Sequence, residues 1–122
     1  MNCDCHVHMI LDGVYYKDAI NSHRAEVQTP LVEERLAAYR DAGITYLRDG
    51  GDAWGVALYA RSIAPHYGIT YTAPAFPIHR LGRYGGFIGR GYKNREEFLS
   101  LLDEAEEKEA DFIKIMFSGL MD

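Results

Sequence analysis

The chain has few of the residues that mark specialised classes of protein. Its 122 residues include two cysteines and one tryptophan, and acidic residues outnumber basic ones to give a formal charge of −5. Two cysteines are too few for a disulfide framework, and an acidic balance argues against nucleic acid or an anionic membrane as a partner. The N-terminus has no signal-peptide pattern, and no apolar run approaches the length of a membrane span. We therefore expect an ordinary globular protein of the cytoplasm.

What the sequence does contain is a pair of histidines, His6 and His8, near its start. Side chains at i and i+2 of a β-strand point to the same face, so the two imidazoles would lie side by side. Neutral imidazole binds divalent metals, which need three or more protein ligands. The pair is therefore half of a metal site or, without partners, an ordinary surface pair. Asp4 shares its face, whereas Cys3 and Cys5 lie on the other, where we expect packed core residues.

The rest of the chain alternates between strand and helix patterns. Short apolar runs predict three further strands, at 44–48, 69–73 and 112–117. Amphipathic patterns predict the helices between them, at 30–42, at 54–66 behind the cap Asp52, and after the cap Asn94. This order is typical of a parallel α/β fold, and we expect one domain over residues 1–122.

Two connections are longer than a strand-to-helix turn requires, at 11–28 and 76–93. The first includes a predicted short helix around 16–23. Long loops at the C-terminal ends of parallel strands commonly line substrate pockets. For His79 and three arginines of the second loop, a substrate-facing role and an irregular surface loop both stay open; the arginines are Arg80, Arg83 and Arg90. We interpret His23 and His66 as ordinary helix residues.

Lys114 is unusual because the strand around it is apolar on both sides. Phe112 and Met116 share its face, and Ile113 and Ile115 share the other. Burial lowers the pKa of a lysine, and the neutral amine so produced can add carbon dioxide to give a carbamate that bridges two metal ions. The alternative is a lysine at the strand end whose amine reaches water.

Three segments together resemble the amidohydrolase superfamily, with the greatest likeness to its dipeptidase and imidazolonepropionase-like members. They are DCHVH at 4–8, GITYLRDGG at 43–51 and ADFIKIMFSG at 110–119. The order and spacing of three segments are more specific than any one of them. The resemblance runs from end to end of the chain.

The resemblance implies a metal-dependent hydrolase with a (β/α)8 TIM barrel. Such an enzyme cleaves amide or other carbon–nitrogen bonds, for example in a dipeptide-like small molecule, with water activated by one or two divalent metals. His6 and His8 would hold the more buried metal, with zinc expected first and manganese, nickel or iron as alternatives. Lys114, as its carbamate, would bridge to the second metal.

Other residues are expected to support this site. Asp4, on the face of the histidines, and Arg48 or Asp49, at the end of the second strand, would orient the ligands, and His79 would do the same or line the substrate loop. By the resemblance, two more histidines and the aspartate that acts as general base belong to later strands. The sequence therefore offers no catalytic residue of its own.

Four strands make only half of such a barrel. We expect the chain to be the N-terminal half, a single partial barrel domain over 1–122, with the C-terminal half absent. A complementary polypeptide or a second copy would close the barrel. The alternative is a truncated half-barrel without catalytic activity, which acts only as an assembly or weak metal-binding module.

Overall fold

The computed structural model describes residues 2–117. Within them it has six β-strands and four α-helices. The strands are β1 (Asn2–Val7), β2 (Ile44–Asp49), β3 (Thr70–Thr72), β4 (Pro77–Arg80), β5 (Arg90–Tyr92) and β6 (Lys114–Met116). The helices are α1 (Tyr16–Ser22), α2 (Thr29–Asp41), α3 (Val56–Ile63) and α4 (Arg95–Glu107), with a 3-10 turn at Ala64–Tyr67.

The first sheet is parallel and has the order β1-β2-β3. Leu47, in the middle of the central strand β2, is fully buried. Helix α2 packs on this sheet through Val32 and Leu36, and α3 packs through Val56 and Ala60. These apolar positions recur at helical spacing, so one stripe of each helix covers the sheet and forms the larger core.

The second sheet has the order β5-β4-β6 and is also parallel. Its smaller core joins Phe76 and Ile78, at the start of β4, to Leu101 and Ala105 of α4. Asn94 caps α4, because its side-chain oxygen accepts the amide of Glu97 at 2.9 Å. The predicted cap is thereby confirmed.

The predicted half-barrel of four βα units is wrong. Residues 2–117 form two three-stranded sheets and no closed barrel, and β6 pairs with β4 instead of continuing the sheet beyond β3. The chain leaves the first sheet after Thr72 and enters the second at Pro77. Pro74 and Pro77 have no N–H to donate, so the prolines favour a break in strand pairing at this point.

Other predictions fare unevenly. The segment 76–93, predicted as a loop, contains β4 and β5. Cys3 and Cys5 are exposed free thiols and not packed core residues. The strand predicted at 112–117 is shortened to Lys114–Met116. The short helix predicted around 16–23 and the helix predicted at 30–42 are confirmed by α1 and α2. No helix within residues 2–117 is both long and apolar enough to cross a bilayer.

Candidate functional site

A change of register in β1 shapes the region of the two histidines. Asp4 pairs with Leu47 and Val7 pairs with Asp49, so the two residues Cys5 and His6 lie opposite the single residue 48 of β2. Such a bulge interrupts the regular alternation of side chains and re-aims them locally. The carboxylate of Asp4 accepts the backbone amide of His6 at 3.2 Å. The predicted supporting residue Asp4 therefore acts on the bulge backbone.

His8 follows β1 and is held by the connection that begins after β2. Its Nδ1 lies 3.0 Å from the carbonyl oxygen of Gly51. A carbonyl oxygen only accepts, so Nδ1 carries the proton and Nε2 of the neutral ring keeps a lone pair. Burial lowers the pKa of His8, and the charge of Lys114 lowers it further, against the opposing effects of the Gly51 hydrogen bond and Asp52. A neutral imidazole with a free Nε2 is the form that binds a metal.

Gly50 is required because the ring of His8 lies directly against it. A Cβ at this position would lie 2.7 Å from Nε2 of His8. Its backbone is also engaged, since the amide of Gly50 donates to the carbonyl of Val7 at 2.7 Å. The first glycine of the Gly50-Gly51 pair thus makes room for the ring, and the second binds it.

Asp49 is a buried carboxylate that organises this connection. Its Oδ1 accepts the amide of Gly51 at 2.7 Å, and its Oδ2 accepts the amide of Met9 at 3.2 Å and the hydroxyl of Tyr71. Desolvation raises the pKa of Asp49 to about 6, although the hydrogen bonds from Tyr71 and Gly51 oppose this rise. Asp49 therefore holds Met9, which follows His8 in the chain, and Gly51, which binds the His8 ring.

Asp52 completes the connection by capping α3. Its carboxylate accepts three backbone amides, those of Trp54 at 2.8 Å, Val56 at 3.0 Å and Ala57 at 2.8 Å. Asp52 thus caps the helix as predicted, although the helix begins at Val56 and not at Trp54. The residue is 1 % exposed. Trp54 is also covered by the guanidinium of Arg24, 5.3 Å from its ring centre.

The three predicted metal-site residues line one cavity. His6, His8 and Lys114 lie in the wall of a cavity of about 460 Å³, together with apolar side chains such as Phe87 and Met116. The centres of the two imidazole rings are 5.4 Å apart, and the rings are arranged edge to face. His6 is exposed, and Lys114 is half-buried. The histidine pair at the end of β1 and a lysine of the second sheet thus line a common cavity.

A second cavity of about 340 Å³ adjoins the first and shares His6 and Lys114 with it. Arg48 and Phe112 lie in its wall. The guanidinium of Arg48 stacks on the ring of Phe112, 3.8 Å from its centre. Asp49 also borders this cavity, with its carboxylate engaged as described above.

The other predicted residues lie elsewhere. His79 is in β4 and not in a loop; its ring is 4 % exposed, and its Nδ1 lies 3.1 Å from the carbonyl of Arg80. It is not part of either cavity wall. His23, predicted as an ordinary helix residue, ends α1, where its buried Nδ1 accepts the amide of Gln28 at 3.0 Å.

The donor set fits part of a metal site. His6 and His8 supply two imidazoles, and a Lys114 carbamate would add oxygen ligands that an ammonium lacks. Across residues 2–117, no cluster of three or more His, Cys, Asp and Glu side chains is arranged to hold an ion. The pair therefore fits as two ligands of a site that needs at least one more.

Comparison of the chain with models of protein families, with curated proteins and with solved structures gives no match.

Two contacts were not predicted from the sequence. They are the contact of Gly50 with the His8 ring and the hydrogen bond of Tyr71 with Asp49. Gly50 was detectable in principle, because the run Asp-Gly-Gly-Asp at 49–52 places small residues at the C-terminal end of a strand. Tyr71 offered no such signal, since an aromatic residue in a strand ordinarily packs in the core.

Proposed function

We propose that the chain takes part in metal-dependent hydrolysis of an amide or other carbon–nitrogen bond. The observation that carries the proposal is the common cavity of His6, in the first sheet, His8, which follows its first strand, and Lys114, in the second sheet. Zinc is the metal expected first, and manganese, nickel and iron accept the same ligands. One or two ions are compatible with these three residues.

The fold prepares one of the ligands well. The Gly51 carbonyl fixes the tautomer of His8, and Asp49 in turn fixes Gly51 through its amide. Supporting hydrogen bonds of this kind typically change metal affinity about 10- to 100-fold. A divalent metal, when bound, supplies Lewis-acid chemistry, making water acidic enough to attack at neutral pH and polarising a carbonyl.

Lys114 decides the charge of the site. As an ammonium it opposes a cation beside His6 and His8. As a neutral amine, Nζ adds to the carbon of carbon dioxide, an N–C bond forms, and one proton leaves to the solvent, so that the group becomes an anionic carbamate. Carbamylation thus turns the least favourable charge in the cavity into an additional ligand.

The remaining ligand and the general base are proposed to come from outside residues 2–117. A complementary polypeptide or a second copy of the chain would supply them beside the cavity. The substrate would be a small amide, dipeptide-like in size, in keeping with a cavity of about 460 Å³. The proposed location is the cytoplasm, as predicted from the sequence.

The test is zinc content after reconstitution, with turnover of dipeptides as a second readout. We expect His6→Ala and His8→Ala each to lower zinc affinity at least about tenfold, because each removes one of two imidazoles. His66→Ala is the matched control, since His66 is exposed in the 3-10 turn. Unchanged zinc content and turnover in both cavity variants would refute the proposal.

Lys114 is tested separately with bicarbonate. Added bicarbonate should raise the zinc affinity of the unmodified chain and leave that of Lys114→Met unchanged. An equal response in the two proteins would show that Lys114 carries no carbamate.

A second candidate is a weak metal-binding or assembly module without catalytic activity. It is favoured by the absence, within residues 2–117, of a third conventional metal ligand beside the two histidines. Zinc that binds through His6 and His8 without turnover of any dipeptide, alone or in a purified assembly, would support this candidate over the hydrolase.

A further inference from the structure

The cavity beside Arg48 contains two basic side chains and no accessible acidic one. Arg48 and Lys114 lie in its wall, together with the imidazole of His6. Among residues 2–117 neither Arg48 nor Lys114 has a carboxylate within salt-bridge distance, since the ion pairs found there involve other residues. Asp49, the acid that borders the cavity, is 1 % exposed and accepts three hydrogen bonds. The charged groups of this cavity that no carboxylate neutralises, Arg48 and Lys114, are therefore both basic.

Arg48 is also oriented in advance. One face of its guanidinium rests on the Phe112 ring at 3.8 Å. Stacking restricts the side chain but leaves the N–H groups at the edge of the plane available. A planar fork of N–H donors matches the two oxygens of a carboxylate.

The neighbouring glycines argue against phosphate as the preferred anion. Phosphate sites commonly use free backbone amides of glycine-rich turns. Here the Gly50 amide donates to the Val7 carbonyl, and the Gly51 amide donates to Asp49. Both amides are engaged, so the arginine fork is the main anion-binding element of the cavity.

We infer that Arg48, stacked on Phe112, binds a carboxylate of a small-molecule ligand in the cavity that it shares with His6 and Lys114. The inference rests on the proposed function where it concerns the substrate: a dipeptide-like amide carries a free carboxylate, as an N-acyl amino acid does, and Arg48 would bind that group. Because the two cavities share His6 and Lys114, a carboxylate at Arg48 leaves the rest of the molecule beside the histidine pair.

The experiment titrates metal-free protein with N-acetylglycine and follows backbone amide shifts by NMR at constant ionic strength. N-acetylglycine should bind at least tenfold more tightly than uncharged N-acetylglycinamide. Arg48→Met should weaken N-acetylglycine binding at least tenfold, and Arg48→Lys should weaken it less, because it keeps the charge and loses the fork. Arg24→Met is the matched control, since it also removes an arginine stacked on an aromatic ring, and it should change affinity less than twofold.

Each arm can overturn the inference. Equal affinity for N-acetylglycine and N-acetylglycinamide would exclude recognition of the carboxylate. Tighter binding of inorganic phosphate than of N-acetylglycine would show that the site binds phosphate. Unchanged affinity in both folded Arg48 variants would exclude the arginine. Because no metal is present, carboxylate binding without zinc binding would refute only the proposed hydrolase, and zinc binding without carboxylate binding would refute only this inference.

Discussion

The two walls of the cavity are held in very different ways. On the first-sheet side, the connection from Asp49 to Asp52 is hydrogen-bonded through both carboxylates and both glycines. On the second-sheet side, Lys114 belongs to a strand of three residues, and its two neighbours in the chain are exposed, Ile113 to 44 % and Ile115 to 39 %. The fold thus fixes His8 rigidly, whereas Lys114 depends mainly on the pairing of β6 with β4.

The largest effect is expected from Asp52→Ala. The change leaves three backbone amides without an acceptor, the buried ones of Val56 and Ala57 in the first turn of α3 and the part-buried one of Trp54 before it. It should lower the free energy of unfolding by about 3 kcal/mol. Asn94→Ala is the matched comparison, because Asn94 caps α4 with one exposed hydrogen bond, and should cost about 1 kcal/mol. Urea unfolding followed by circular dichroism measures both. Equal losses would contradict a special role for the first-sheet connection.

Gly50→Ala comes next. The added methyl group would overlap the His8 ring, and overpacking of this kind costs about 2 kcal/mol. In a His8→Ala background the partner of the clash is gone, so the cost should fall by at least about 1 kcal/mol. The same urea unfolding of the two single variants and the double variant measures the coupling. If the two substitutions lower the free energy of unfolding additively, the cost of Gly50→Ala does not come from a clash with the imidazole.

Tyr71→Phe should have a smaller effect that depends on pH. The Tyr71 hydroxyl donates to Asp49, so its loss raises the pKa of Asp49 further above about 6. A raised pKa in the folded state favours the protonated form, so stability is lost as pH rises through that pKa. We expect Tyr71→Phe to cost about 2 kcal/mol at pH 7.5 and about 1 kcal/mol at pH 5. A cost independent of pH would contradict titration of Asp49 in this range.

The smallest effect is expected from Lys114→Met. Since Lys114 has no ion pair within residues 2–117, the change should alter the free energy of unfolding by less than about 0.5 kcal/mol. It should also raise the pKa of His8, because the charge of Lys114 lowers it. An NMR titration of the His8 ring measures that direction. A loss of stability above about 1 kcal/mol would show that the second wall is also held by this side chain.

Local patterns predicted the elements of the first sheet better than those of the second. The apolar run at 44–48 and the amphipathic pattern at 30–42 are clear local signals, and both elements are present as β2 and α2. The strands β4 and β5 are four and three residues long, and contain Pro77 and Gly91, which weaken any strand pattern. Their pairing depends on contacts distant in sequence, so the division into two sheets was not visible locally.

Three predicted site residues line one cavity, but the geometry of that cavity was not predicted. Spacing and resemblance selected His6, His8 and Lys114, and the structure places all three around one cavity. The bulge in β1 and the contact of His8 with Gly50 depend on the pairing of two strands, which the sequence of one strand does not encode. The roles of the three residues as metal ligands stay predictions.

Trp54, the single tryptophan of the chain, follows the connection that holds His8, and its amide donates to Asp52. Indole fluorescence responds to the surroundings of the ring, so the chain carries an intrinsic optical reporter next to this connection. Rearrangement of the connection around His8 should shift the emission, whereas movement confined to β6 should leave it unchanged. Fluorescence can therefore show, without any added label, whether the connection responds when a ligand binds.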